Sequence, residues 1–590
     1  MIRTALTPNK VFTFVLLSVL GVSPLVAQSQ AQAPPRVRDN SEPVTTFKAS
    51  ARMVTLEVVA KDRKGNHVTG LKAGDFQIFE QSRSRGKQKY EQKIGAFREV
   101  RMADLAGQLP SKLQVPAGIY TNVITSPQEP VPPTIFLVDG LNTDVKHQMQ
   151  VHVQMLKMLR SLPKNVPVAV FLFGHKLRMV QDFTSDPNLL QAALANVNNL
   201  TGQNVATLDP ADDPDTMSAQ LESMNAGNVQ VSPQLLAAVA HFERELYASD
   251  MDLRIRETIE ALTTLAHRLA GYPGRKNLLW ISTGFPIAIN DADGVPRDYW
   301  TVLKRMASAL SEGKIAVYPI NPAGVQAFSF FEAGTRPRDT SATGAQGAIQ
   351  REINMRSSEQ DTMEVIAAGT GGRVCTGDND LSDCVQKAMD DSSSFYEIAY
   401  YPDSQEWNGE YRRVILKSSQ SGLHLSYRQG YYATSEGDQD QKAELRQAAC
   451  EDYLDATSIF IAAKRLPGDS PDQLKFYMTI NTSALAAPET NHGGRDLHFT
   501  IAACSFDREG QAQQLISEDI HHEFTKAEYQ GLLQNGLPHV VSIPGPRPAA
   551  VRLLVKDLPS GRLGSVGIKL ENVAPVAAIT PAANGQTASH

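Results

Sequence analysis

Four nearly continuous apolar runs set the strongest limit on what this chain can fold into: Thr134–Val138, Val166–Phe173, Asn277–Ser282 and Ile315–Ile320. A strand with one solvated face alternates apolar and polar residues, whereas a strand buried on both faces does not. Helical patterns separate the runs. Val145–Leu162 places Val151, Met155, Met158, Leu159 and Leu162 on one side, and Pro187–Val197, Leu253–Leu269, Val302–Leu310 and Met363–Ala368 continue the series. Such alternation predicts a central α/β domain with a doubly wound, Rossmann-like parallel sheet over residues 131–394. Insertions are expected near 203–230, which is polar and acidic, and near 327–350, which is rich in Gly, Thr and Ala.

A chain of 590 residues is too long for one core, so further domains must flank this one. Alternation at Val54, Leu56 and Val58, a turn at Lys64-Gly65-Asn66 and strand-like residues through Phe79 predict an N-terminal β-sandwich over 47–105. The basic stretch Ser82–Lys93 reads as an exposed hairpin. Prolines at 127, 130, 132 and 133 mark the next boundary. Beyond the α/β region, strands at 395–401, 411–417 and 424–432 predict a β-meander extension over 395–435, whose six tyrosines are expected to pack a sheet face. Six more strand candidates predict a second β-sandwich over 442–573, and residues 574–590 read as a disordered tail.

Arg3 and Lys10 precede an apolar run from Val11 to Val22, with small residues at Ala27, Ala31 and Ala33. This pattern predicts a signal peptide over 1–31 and a flexible leader over 32–46, because the run is shorter than the roughly 20 residues that span a bilayer. A secreted or periplasmic location is the expectation, with no transmembrane segment in the mature chain. In an oxidising compartment Cys375 and Cys384 are close enough to bridge one loop, and the C-x₂-C spacing of a zinc site is absent. The sequence leaves the pairing of Cys450 and Cys504 open. A net charge of −6, from 63 acidic and 57 basic residues, carries no basic footprint for nucleic acid.

Several segments in order resemble the VWFA-related domain proteins of the Acidobacteria type. They are Val68–Glu80 (VTGLKAGDFQIFE), Phe136–Thr143 (FLVDGLNT), Ile315–Ile320 (IAVYPI), Gly369–Arg373 (GTGGR), Phe395–Pro402 (FYEIAYYP) and Arg428–Tyr432 (RQGYY). The resemblance covers roughly residues 45–435, and Val551–Gly567 is similar to the family's C-terminal extension. It implies a von Willebrand factor A-type domain with flanking β-sandwiches, and a metal-ion-dependent adhesion site on a D-x-S-x-S loop after the first strand.

Here that loop keeps Asp139 and has Thr143 at its last position, but Leu141 in the middle offers no oxygen. Mg²⁺ needs near-octahedral oxygen coordination, so the site is expected to be degenerate, with Asp139 and Thr143 as its remaining metal ligands. Thr201 matches the loop threonine by order alone. Thr283 stands where the fold commonly carries an aspartate, and Asn142 suits a side-chain-closed turn. No cofactor is expected; Mg²⁺ or another divalent cation is the alternative. Trp280-Ile-Ser-Thr-Gly284 approaches a nucleophile elbow, but Trp280 occupies a position where the sharp turn needs glycine. His521-His522-Glu523 lacks the H-E-x-x-H spacing, and His147 and His152 are five apart. Asp378, Asp380 and Asp383 suit a Ca²⁺ site, and N-capping of the helix that starts near Leu381 explains them equally well.

These readings converge on an exported, non-catalytic binding or adhesion-type protein. Asp139, Asn142, Thr143, Thr201 and Thr283 would form its contact loops, since open α/β sheets bind ligands beyond the carboxyl ends of their strands. The expected partner is a protein or an extracellular or envelope polymer. An extracytoplasmic hydrolase centred on Ser282 and a structural envelope component without a ligand are the alternatives.

Overall fold

The computed structural model describes residues 53–570, except 105–115, 124–131, 144–150, 163–165, 198–209, 323–340, 376–381, 434–439, 467–472 and a few single or paired positions. The expected signal peptide, leader and C-terminal tail lie outside the described residues, as do Thr201, His147, His152, Asp378 and Asp380.

Five strands form the central sheet: β1 (Thr134–Asp139), β2 (Val168–Phe173), β3 (Leu177–Thr184), β4 (Lys276–Ile281) and β5 (Ile315–Ile320). Their order is β5-β4-β1-β2-β3, with every neighbouring pair parallel except β2 and the edge strand β3. Every residue of β1, β2, β4 and β5 is buried, which is why their sequences do not alternate. Edge strand β3 is half-exposed and mixes polar with apolar residues.

Helices cover both faces. α1 (Pro187–Val197), α2 (Met217–Ala226), α3 (Pro233–Leu269), α4 (Trp300–Glu312), α5 (Ala342–Thr370) and α6 (Ser382–Ser393) are the labelled ones, and residues 153–159 are also helical. α3, α4 and α5 pack Ile255, Leu262, Leu303 and Ile366 against Leu137, Leu278 and Val317. Met155, Leu190, Val385 and Ala388 pack the opposite face against Val138, Val170 and Leu279. After α5 the chain returns to the sheet edge, where Cys375 bridges Ile320 in parallel. Gly372 permits that return, because a Cβ there would sit 1.9 Å from the carbonyl oxygen of Val317. The expected insertions are partly helical: α2 falls within 203–230, α3 begins shortly after that stretch at Pro233, and α5 starts within 327–350.

The N-terminal sandwich and the β-meander are one domain rather than two. Strand 394–400 lies between 54–61 and 94–101, and strand 411–418 lies between 76–82 and 430–432. Strands 54–61 and 94–101 each need a neighbour to satisfy their backbone groups, and the segment after the α/β domain supplies it. The α/β domain is therefore inserted into a sandwich whose two halves are nearly 300 residues apart in sequence. Leu56, Val58, Ile78, Ile398 and Val414 form its core. Tyr396, Tyr400 and Tyr431 are buried in it, and the Tyr400 and Tyr431 hydroxyls donate to Glu80 at 2.7 and 2.6 Å.

The C-terminal sandwich pairs sheets 537–544/473–480/461–466/119–121 and 512–524/495–506/550–557/563–569. Strand Ile119–Thr121 thus extends this domain upstream of the α/β region. Cys450 is bonded to Cys504 and Cys375 to Cys384.

Both sandwiches dock at the amino end of the central sheet. Asp391 accepts from Lys61 and Arg373 at 2.6 Å each and from the Tyr318 hydroxyl at 3.3 Å. Lys314 pairs with Glu397, and the buried Arg275 lies 3.6 Å from Glu57. On the other side Thr457 takes Gly271 N–H at 2.9 Å and donates to Arg268 O at 2.7 Å. The host sandwich also packs along the flank of α4, where Lys304 lies over the Tyr411 ring and Arg305 over that of Tyr432.

Candidate functional site

β1 ends at Asp139, beside the end of β4, where the strand order reverses. In an open α/β sheet this is the position at which ligands bind. The Asp139 side chain is fully buried and accepts five hydrogen bonds. Oδ1 takes the N–H groups of Leu141 at 3.1 Å and Asn142 at 2.9 Å, closing the turn locally. Oδ2 takes Asn142 Nδ2 at 2.8 Å, Trp280 Nε1 at 3.1 Å and Ser282 Oγ at 2.8 Å. Burial pushes this carboxyl above the usual carboxylate range, while the bonds from Asn142, Ser282 and Trp280 pull the other way.

Helix α3 closes the cluster from one side. Asn142 Nδ2 also donates to Thr258 Oγ1 at 2.8 Å, and Arg254 donates to Asn142 Oδ1 at 3.4 Å. The Thr283 hydroxyl donates to the Asn142 carbonyl, and Gly284 N–H to Ser282 Oγ at 3.0 Å. Gly284 adopts φ +91° directly beneath α5, where a Cβ would lie 3.3 Å from Glu359 O. α5 fixes the next residues through Ser358 Oγ, which accepts from Ile287 N–H at 2.9 Å. Glu359 sits here too, its carboxyl pushed up to about 8 by burial, with Arg254 and Arg356 opposing.

These contacts test whether a divalent cation fits. A carboxylate has about four lone-pair directions, and Asp139 already serves five protein donors. Leu141 supplies no oxygen, and Thr143 adds a single buried hydroxyl without a hydrogen-bond partner among the described residues. The described residues here do not fit a cation, and among the described residues no group of three or more His, Cys, Asp or Glu could hold one.

The expected contact residues also lie elsewhere than expected. Asp139, Asn142 and Thr143 are between 0 and 2% exposed, and Thr283 is half-buried. Asp139, Asn142 and Thr283 form an internal network, closed from one side by Thr258 and Arg254 of α3. Ser282 is buried, and its hydroxyl is spent on Asp139. His521 and His522 stand on an exposed strand, His521 paired with Asp496.

Arg254 and Glu359 belong to the site although no motif in the sequence marks them, and Trp280 belongs to it as a donor rather than as part of an elbow. One signal was present: Arg254 falls between Met251 and Ile255 on the buried side of α3, and an arginine among core positions implies a buried acceptor.

No family model and no curated protein matches the chain. Solved structures do. An aerotolerance-related membrane protein from Bacteroides fragilis, with multiple mutations to serines, is 14% identical, covering 44% of this chain and 98% of its own at a TM-score of 0.24. The conserved hypothetical protein BatB from Bacteroides thetaiotaomicron is 14% identical, covering 43% and 96% at 0.21. The pilus adhesin SpaC from Lactobacillus rhamnosus GG is 8% identical, covering 76% and 55% at 0.24. Superpositions at these scores carry no argument about this chain's function. What its own geometry defines is a multidomain protein in which an α/β domain interrupts one β-sandwich and rests on another.

Proposed function

We propose that this is an exported, non-catalytic binding protein of the von Willebrand factor A type, working without a metal and contacting its partner through the helical end of its α/β domain. The observation that carries this reading is the five-donor hydrogen-bond shell around Asp139. That shell ties β1, β4 and α3 together where a relative with an adhesion site would place its cation, so the strand ends become a fixed frame. Sheet order β5-β4-β1-β2-β3 with one antiparallel edge strand agrees with the type. Two disulfides suit an oxidising, extracytoplasmic compartment, and among the described residues no helix is long and apolar enough to cross a membrane. The ion pairs and hydrogen bonds that hold both sandwiches gather at the amino end of the sheet, and the exposed residues of α3 and α5 beyond the strand ends are the surface offered to a protein or envelope polymer.

Site-specific photo-crosslinking in envelope extracts tests the proposal. A crosslinker at the exposed Asn354 on α5 is expected to trap a partner in the presence of EDTA, and one at Gln514 on the C-terminal sandwich is not. Crosslinks that arise only from Gln514, or that vanish with EDTA, would overturn it.

A further inference from the structure

The host sandwich turns one basic sheet face outward. In the sheet of strands 430–432, 411–418, 76–82 and 90–92, Ile78, Glu80, Gln92, Val414 and Leu416 are buried on the inner side. Side chains alternate across a strand, so Arg413, Ile415 and Lys417 lie on the outer face. There they pair with Gln81, Phe79 and Gln77 of the next strand, and Phe79 pairs in turn with Glu91. Lys89 and Lys93 flank Glu91 at a spacing of two, the period that keeps side chains on one face, and Arg83 follows Gln81 at the same spacing. Arg83, Lys89, Lys93, Arg413 and Lys417 are all exposed.

These charges are left over within the chain. Among the described residues none of the five cations forms an ion pair, and Glu91 is the one acid at these positions. The nearby Glu410 is engaged already: it takes Ser84 N–H at 3.0 Å and the Ser84 hydroxyl at 2.7 Å, and lies 3.8 Å from the buried Arg412. Lys417 rests 5.2 Å above the Phe79 ring, and Lys304 of α4 extends the positive surface at the Tyr411 end. Like charges gathered this way repel one another, and a bound polyanion relieves that.

The spacing selects the occupant. Arg413 and Lys417 are four residues apart, roughly 14 Å along the strand, and the row of Lys89 and Lys93 runs two strands away, roughly 10 Å. No small anion spans such distances, so the ligand must carry its charges at intervals. A bilayer holds a peripheral protein firmly only when an inserted apolar group adds to charge. On these strands no large apolar side chain is exposed, since Phe79 and Ile415 are half-buried within the sheet. Between the two rows Gln77 and Phe79 instead offer an amide and a ring, which suit the hydroxyl and C–H groups of a sugar.

We propose that this sheet face binds a linear acidic polysaccharide, with its anionic groups on the two rows of cations and its sugar rings over the strip between them. This surface is separate from the helical end of the α/β domain and adds a second point of contact to it.

Full-length protein is titrated in a calorimeter with polygalacturonate, with the neutral polymer dextran and with phosphatidylglycerol vesicles. Saturable binding of polygalacturonate alone is expected, weakening as salt rises. The pair Arg413→Glu and Lys417→Glu should reduce it at least roughly tenfold, equivalent to about 1.4 kcal/mol, with a melting temperature no lower than that of the wild type. The conservative pair Arg413→Lys and Lys417→Arg should keep it. Lys442→Glu with Lys526→Glu makes the same change in net charge at exposed lysines outside this sheet and should leave binding as it was. No binding of polygalacturonate, or equal losses from the two glutamate pairs, overturns the proposal. Dextran binding as tightly also overturns it, since charge is then irrelevant, and so do vesicles that bind as tightly, since the occupant is then a lipid surface. Crosslinks from Asn354 report the helical end alone, so a failure there and a failure here are told apart.

Discussion

Ser282 donates its hydroxyl to Asp139 Oδ2 at 2.8 Å, so the end of β4 is tied to the end of β1 by a buried bond to a carboxylate. Trp280 adds a second tie two residues earlier at 3.1 Å. The side chain that could be mistaken for a nucleophile, and the one that would bind a cation, are thereby partners in a structural bond.

Removing the acceptor should be costly. Asp139→Ala strands five donors, two of them backbone N–H groups, in a site closed to solvent. Each buried unsatisfied group costs about 1–3 kcal/mol, so a loss of at least about 3 kcal/mol is expected after partial relaxation. Urea denaturation of the purified variant checks this, and EDTA should leave the wild-type midpoint where it was. An unchanged midpoint in Asp139→Ala would show that the network holds nothing together.

Glu359 makes stability depend on pH. Its carboxyl is raised to about 8 from an ordinary value of 4.5, so the folded state holds its proton longer than the unfolded state does. The stability linked to this group is fully present below 4.5 and is lost as pH rises through about 8. Glu359→Gln keeps the shape and removes the titration. Its melting temperature relative to wild type should therefore climb across that window and level off above it. A flat difference between acidic and alkaline buffers would refute the assignment.

Much of this architecture is legible in the sequence, for reasons that particular elements expose. The strands β1, β2, β4 and β5 show themselves because burial on both faces leaves no room for polar residues. Strand 512–524 does not, because most of its side chains are exposed and leave little apolar signal. The first half of α3 is hidden in the sequence, since its outward stripe is embedded among acids next to a polar insertion. Pairing is harder still: nothing local in Val54 announces that its partner is Tyr400. At the site, Leu141 discloses the missing metal ligand, whereas the replacement donors come from Trp280, Ser282 and Asn142, which only the fold brings together.

The docking of the α/β domain on its host sandwich should hinge on Asp391. Burial works against its charge, but Arg373 and Lys61 outweigh that and hold its carboxyl below the usual range. A lowered folded value means that its contribution is present above the ordinary carboxylate pKa and is lost as pH falls through the folded one. Asp391→Ala removes this acceptor, but Lys61 keeps Asp390 and Arg373 is partly exposed, so the cost is about 1–2 kcal/mol. Differential scanning calorimetry at neutral pH should then resolve two transitions, or a broader one than the single peak expected of the wild type. Wild type in mild acid should move toward the variant's profile. A variant that melts as sharply as the parent would place the coupling elsewhere, at Glu57 and Arg275 or at Lys314 and Glu397.

The two disulfides should contribute unequally, because they close loops of different length. Cys450–Cys504 spans 54 residues and joins the segment Gln447–Glu451 to the long strand Arg495–Phe506, while Cys375–Cys384 spans 9. Chain entropy assigns about 4 kcal/mol to the longer loop and about 2.5 kcal/mol to the shorter. Paired alanine variants, Cys450→Ala with Cys504→Ala and Cys375→Ala with Cys384→Ala, separate the terms in denaturant melts. The first pair should lower the midpoint of the C-terminal sandwich, where Cys504 is fully buried. The second should loosen the junction between Cys375 and α6 while leaving that sandwich alone, and hydrogen exchange at Val374 and Val385 would report it. A greater loss from the short loop than from the long one would show that native packing around Cys384, rather than the freedom of the unfolded chain, decides what these bonds are worth.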